Sequence, residues 1–215
     1  KLQCAVYDLL EQELAGILYA QIVNTKYADT SQSIPIYDVY NALIENDVID
    51  IDRMAEAEEG TYQADVYQTF ASRQPEVLQS VEAALNSDTA FQDQSEEIQE
   101  YLTYIVTYLQ NQGVFDTTDV NSSDETYSNW RNGTISVKEY LQHAIDASWI
   151  QVSSLDLEEQ YADTEEIYSA LISYVMDRIS VSNTFQRLIF KYLIYNDAIS
   201  GSQLCVILYE QGVLE

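Results

Sequence analysis

Apolar residues recur at three- and four-residue spacing along most of the chain, which is the mark of amphipathic helices. Leu2, Ala5, Val6, Leu9, Leu10, Leu14, Ile17, Leu18 and Ile22 form one such stripe and predict a long first helix. Further helices are expected at about 36–46 and 51–72, with Gly60 kinking or interrupting the second. Pro75 suits the first position of another, running to 85, because a helix needs no N–H there. The spacing of Ile98, Leu102, Ile105 and Leu109 predicts a helix over 95–112, closed by Gly113 as a left-handed cap with Val114 folding back. Helices are expected again at 136–147, 164–178, 182–196 and 202–211, after a polar loop at about 116–134. The expectation is an all-α chain: one compact domain over residues 1–215, an irregular bundle of about nine helices.

One pattern occurs three times. Ile34-Pro35-Ile36-Tyr37-Asp38-Val39, Ile135-Ser136-Val137-Lys138-Glu139-Tyr140 and Ile199-Ser200-Gly201-Ser202-Gln203-Leu204 align without gaps. In the second and third, a serine precedes Glu or Gln by three residues, which predicts a reciprocal capping box, and the flanking apolar pair predicts a hydrophobic staple. Pro35 replaces the serine in the first copy, so only the staple remains. The stretches also end alike, in Asn46-Asp47-Val48-Ile49-Asp50, Ala147-Ser148-Trp149-Ile150 and Gln211-Gly212-Val213-Leu214-Glu215. Each reads as a turn followed by an apolar pair that returns to the core. The copies are unevenly spaced, which argues against a regular solenoid.

Composition sharpens this picture. Only 6 Gly and 2 Pro occur in 215 residues, which leaves few turns and favours long helices. With 47% apolar residues the chain can build a core even though 36 carboxylates oppose 9 Lys and Arg. The formal charge of −27 repels phosphate backbones and anionic lipid, so no nucleic-acid partner is expected. No apolar run is long enough for a membrane span. Nor does the chain open on a signal-peptide pattern; numbering from a mature N-terminus is compatible with that.

Secretion is expected on two grounds. The sequons at Asn121 and Asn132 fall in the polar stretch, where glycans on a secreted protein belong. Cys4 lies on the apolar side of the first predicted helix and Cys205 within the last, and two cysteines without metal partners read as one disulfide.

The candidate chemistry is mostly exclusion. His143 is the sole histidine, which rules out multi-histidine zinc sites, and its place in the 136–147 helix reads as a packed or surface residue rather than a general base. Six glycines provide no phosphate loop, dinucleotide fingerprint or nucleophile elbow. Asp119-x-Asn121-x-Ser123 begins like a calcium loop, but Asp124 stands where glycine is needed and Trp130 where glutamate is needed. No enzyme activity, cofactor or metal is therefore expected. The 18 tyrosines are the unusual feature, and Tyr101, Tyr104 and Tyr108 share one helical stripe. Tyrosine suits the rim of a helical core, and these three are also candidate ligand or interface aromatics.

The stretch 77–114, ending Tyr108-Leu109-Gln110-Asn111-Gln112-Gly113-Val114, resembles the repeats of insect allergen-related gut proteins, a resemblance that implies a lipid-binding helical shell and covers under a fifth of the chain. The expected function is that of a secreted, non-catalytic helical protein acting through self-association or a protein partner. The alternatives are a carrier enclosing an apolar ligand such as a lipid, and an acidic mimic of nucleic acid.

Overall fold

The computed structural model describes residues 36–115, 124–155 and 163–213. They build an all-α structure of nine helices: α1 (Ile36–Glu45), α2 (Ile51–Ala55), α3 (Tyr62–Leu85), α4 (Glu96–Asn111), α5 (Glu125–Arg131), α6 (Val137–Asp146), α7 (Thr164–Ile179), α8 (Asn183–Tyr195) and α9 (Gly201–Glu210). Single 3-10 turns lie at Phe91–Asp93 and Val152–Leu155. The first predicted helix, with Cys4, lies outside the described residues. The chain divides into two compact units, one of Lys1–Gln74 with Gln186–Glu215 and one of Pro75–Phe185. The boundaries fall inside α3 and α8.

Three expectations change. The predicted 51–72 helix is interrupted rather than kinked, one of the two outcomes expected of Gly60: it stops at Ala55, Gly60 takes φ +87°, and the Thr61 hydroxyl starts a new helix by accepting from the Ala64 amide at 3.3 Å. That new helix then runs through Pro75 to Leu85 instead of restarting there. Proline removes one helical donor, but Val66 and Phe70 before it and Val77, Val81 and Ala84 after it are buried, and packing on either side overrides the local preference. The third correction concerns the polar loop. Asp124 caps the short helix α5 inside it, its carboxylate accepting from the Thr126 and Tyr127 amides at 2.8 and 3.1 Å.

The recurrent start and end motifs are parts of one corner. At Asp47, Gly113, Gly133, Ser148, Asp197 and Gly212 the backbone turns left-handed, with φ between 55° and 80°. In each case the next amide reaches back five residues to a helical carbonyl, as Val48 to Leu43 and Ala198 to Leu193, both at 2.9 Å. This is the double hydrogen-bonded helix end that satisfies otherwise orphaned carbonyls. Leu43-Ile44-Glu45-Asn46-Asp47-Val48-Ile49 and Leu193-Ile194-Tyr195-Asn196-Asp197-Ala198-Ile199 are two copies of it in the first unit. Ile49 and Ile199 follow the turn into the core, and burying each contributes about 2 kcal/mol. Asp50, Ser136 and Ser200 then cap the next helix, so one corner ends a helix and starts another. The returning arm of the box is present at Ser200, whose amide donates to Gln203 Oε1 at 2.9 Å. At Ser136 the hydroxyl accepts from the Glu139 amide at 3.0 Å, and Glu139, exposed, makes no return. The last copy departs from the pattern again, since Val213 is exposed rather than folded back.

In the first unit, Phe70 and Phe190 meet at 6.1 Å between ring centres, and Arg187 clasps Asp47 across the corner after α1. In the second, α7 packs on α6 and α4, while Phe115 pairs with Ile150 as an antiparallel bridge. The Tyr168 hydroxyl donates to the carbonyl of Leu85, closing the end of α3.

Candidate functional site

The predicted tyrosine stripe on α4 divides by depth. Tyr101 is buried, its ring 5.2 Å from that of Phe185, and serves the core. Tyr104 is half-buried, hydrogen-bonds Ser182 through its hydroxyl and leans on Phe185 and on Tyr108 at about 6 Å. Tyr108 lies near Tyr174, over whose ring the Arg178 guanidinium sits at 3.7 Å. Burial, then the neighbouring tyrosines, push the Tyr108 phenol above its ordinary pKa against the pull of Arg178. The result is a small half-buried aromatic rim with one cation, not a pocket of three converging rings.

A denser cluster lies where α5 meets α6, and the sequence did not single it out. The α5 cap at Asp124 sets the first turn so that Tyr127 and Trp130, three apart, share one helix face. On α6, Tyr140 and His143 are likewise three apart. Trp130 stacks on Tyr140 with ring centres 4.6 Å apart and planes 10° from parallel. Phe115 stacks on the Tyr140 ring at 6.1 Å and 13°, making a three-ring ladder. Phe91 and Tyr127 flank the indole at 6.3 and 6.1 Å, and the Arg131 guanidinium lies 5.8 Å from its centre. The close approach that seats Phe91 depends on Gly133: the Gln92 amide donates to the Gly133 carbonyl at 3.0 Å, leaving no room for a side chain.

The polar atoms of this aromatic nest are its unusual feature. Tyr140 is fully buried and Trp130 nearly so, yet the Tyr140 hydroxyl and the Trp130 Nε1–H have no hydrogen-bond partner among the described residues. A buried donor left unmade costs about 1–3 kcal/mol, so native interiors nearly always supply an acceptor. Beside them, His143 Nε2 stands 3.5 Å from Asp124 Oδ2, close enough for charge attraction and too far for a well-formed hydrogen bond. The His143 ring meets Trp149 edge-on at 5.2 Å. The side chains of His143 and Asp124 remain 36% and 27% exposed, so this edge of the nest faces water.

The electrostatics follow from that gradient. Burial first, then the charges of Tyr127 and Asp124, raise the Tyr140 pKa far above that of a free phenol, so its hydroxyl keeps its proton. For Asp124, burial is the largest single influence and pushes upward, but the Tyr127 and Thr126 amides together with His143 outweigh it and hold the carboxyl below its ordinary range. The nest thus offers neutral donors inside and a carboxylate at its rim. No group of three or more candidate metal ligands occurs among the described residues.

Of the other predicted positions, Asn132 is exposed just past the end of α5, and Asn121 lies outside the described residues. Cys205 is buried within α9, while its expected partner Cys4 lies outside them. Among the described residues, no helix is long and apolar enough to cross a membrane. The calcium-like pattern ends on Asp124 and Trp130, which are a helix cap and a core indole. No protein family, curated protein or solved structure matches the chain.

Proposed function

We propose that this is a secreted, non-catalytic binding protein whose binding centre is the nest of Trp130, Tyr140, His143 and Asp124. The observation that carries this reading is the pair of buried donors without an acceptor among the described residues, Trp130 Nε1–H and the Tyr140 hydroxyl, on two rings stacked with centres 4.6 Å apart. Two such groups in one cluster represent unused binding energy, and a ligand oxygen entering from the Asp124 and His143 side supplies what they lack. The secreted reading is supported by the exposure of the sequon residue Asn132 at a helix end, the kind of position a glycan takes.

Ligand stripping tests the reading. The chain has two tryptophans, so in the Trp149→Phe protein Trp130 is the sole indole emitter. Material from the native source and the same material unfolded and refolded in clean buffer should differ in Trp130 emission. Identical spectra would count against a resident ligand.

A second reading, contact with a protein partner, is favoured by the rim of Tyr104, Tyr108 and Tyr174 with Arg178 held over it, since aromatic rings and arginine carry much of the energy of protein interfaces. Tyr108→Ala should then abolish oligomers or co-purifying partners while leaving Trp130 emission unchanged.

A further inference from the structure

The class of ligand can be argued from the nest itself, and this step rests on its being a binding centre. Trp130 Nε1–H can only donate. Inside the nest the Tyr140 hydroxyl keeps its proton and also presents a donor. Both are uncharged; the cation nearest them among the described residues, Arg131, lies over the indole face 5.8 Å from its centre and pulls on the Tyr140 phenol only as the last of four influences. At the rim stands the Asp124 carboxylate, held ionised by the amides of Thr126 and Tyr127. The chain as a whole carries −27. An anion entering this edge meets a like charge before it reaches either donor, and a neutral oxygen does not. The rings of Phe115, Tyr127 and Phe91 pack around the two donor-bearing rings.

We propose that the nest takes a small uncharged molecule with a carbonyl-type oxygen on an apolar body, the oxygen accepting from Trp130 Nε1–H and from the Tyr140 hydroxyl. The neutral oxygen answers both donors without bringing charge past Asp124, and the apolar body lies against the rings.

The test uses the full chain labelled with nitrogen-15, in which the two indole N–H signals are distinguished by the Trp149→Phe variant. Cyclohexanone is the neutral probe, and cyclohexanecarboxylate, of the same ring size, is the anionic one. Cyclohexanone should move the Trp130 indole signal saturably. Tyr140→Phe, which keeps the ring and removes the hydroxyl, should weaken that binding by about tenfold, the worth of one buried hydrogen bond. The carboxylate should leave the signal where it is. If the carboxylate moves the Trp130 signal as effectively as the ketone, the inference about ligand class is overturned while the nest remains a binding centre. If no probe moves it, the binding reading itself falls, and a cross-peak from the Trp130 indole proton to long-lived water would identify an internal water molecule as the missing acceptor.

Discussion

Replacing Tyr140 by phenylalanine removes one oxygen atom from the centre of the three-ring ladder and leaves the stack of Phe115, residue 140 and Trp130 in place. In most proteins a buried tyrosine loses about 1 kcal/mol on this change, because its hydroxyl was hydrogen-bonded. Here the sign should reverse. The Tyr140 hydroxyl is fully buried without a partner, a condition that costs about 1–3 kcal/mol in the ligand-free protein. The void left by one oxygen offsets only a few tenths of that, at about 24 cal/mol per Å³. The ligand-free Tyr140→Phe protein should therefore be more stable by about 1 kcal/mol, with a melting temperature about 2–4 °C higher for a chain of this length. Urea unfolding followed by tryptophan emission measures it, and the slope with denaturant should stay unchanged while the midpoint rises. A loss of 1 kcal/mol or more in protein freed of ligand would refute the reasoning, since it would mean that the hydroxyl has an acceptor in the free fold.

Four further outcomes follow from the same structure. The Asp124 carboxyl is held below its unfolded pKa, so its contribution to stability is fully present above the unfolded value, about 4, and is lost as pH falls through the lower folded value; Asp124→Asn should flatten the acid limb of a stability-against-pH curve there, and an unchanged limb would show the cap and the His143 contact to be inert. Gly133→Ala should destabilise by about 2–3 kcal/mol, because its φ of +80° is strained for alanine and the new Cβ would stand 2.9 Å from Gln92 Cβ, whereas Gly113→Ala, at φ +70° in open space, should lose only about 1 kcal/mol; equal losses in denaturant unfolding would dismiss the steric argument. Ser136→Ala and Ser200→Ala should each lose about 1 kcal/mol, but Gln203→Ala should add a loss that Glu139→Ala does not, as only Ser200 has the returning arm; thermal melts that rank Glu139→Ala with Gln203→Ala would contradict this. A disulfide between Cys4 and Cys205 should leave no titratable thiol in denatured, unreduced protein and contribute about 5 kcal/mol in the loop-entropy account; two titratable thiols would remove the bond and weaken the case for secretion.

What could be read from the sequence was whatever is decided within a few residues. Ser136 and Ser200 announced their helices, and Gly113 announced the end of α4, because caps and left-handed turns are local chemistry. Asn46-Asp47 was legible as a turn, but Asn196-Asp197, which carries the same signal because Asn and Asp tolerate the left-handed region, has no glycine to mark it and went unnoticed as a second instance of that corner. Pro75 misled because local preference argued for a boundary, while the helix on either side of it is held by buried residues, Val66 and Phe70 before and Val77, Val81 and Ala84 after. The loop at 116–134 hid α5 because Asp124 was weighed only against a calcium-loop pattern, which it breaks, and not as a cap. The nest was beyond reach for a different reason. Phe91, Phe115, Trp130 and Tyr140 come from four separate segments, and no spacing within one segment reports that their rings will stack. The only hints were the pairs Tyr127 with Trp130 and Tyr140 with His143, each three residues apart on a short helix.

The claim that the nest is a ligand site is tested most directly by native mass spectrometry of protein purified from its own source, compared with the same sample after denaturation and with glycans removed. One small uncharged molecule bound per chain, lost on denaturation and absent from the Tyr140→Phe protein, is the predicted result. A native mass equal to that of the bare chain in both proteins would contradict it.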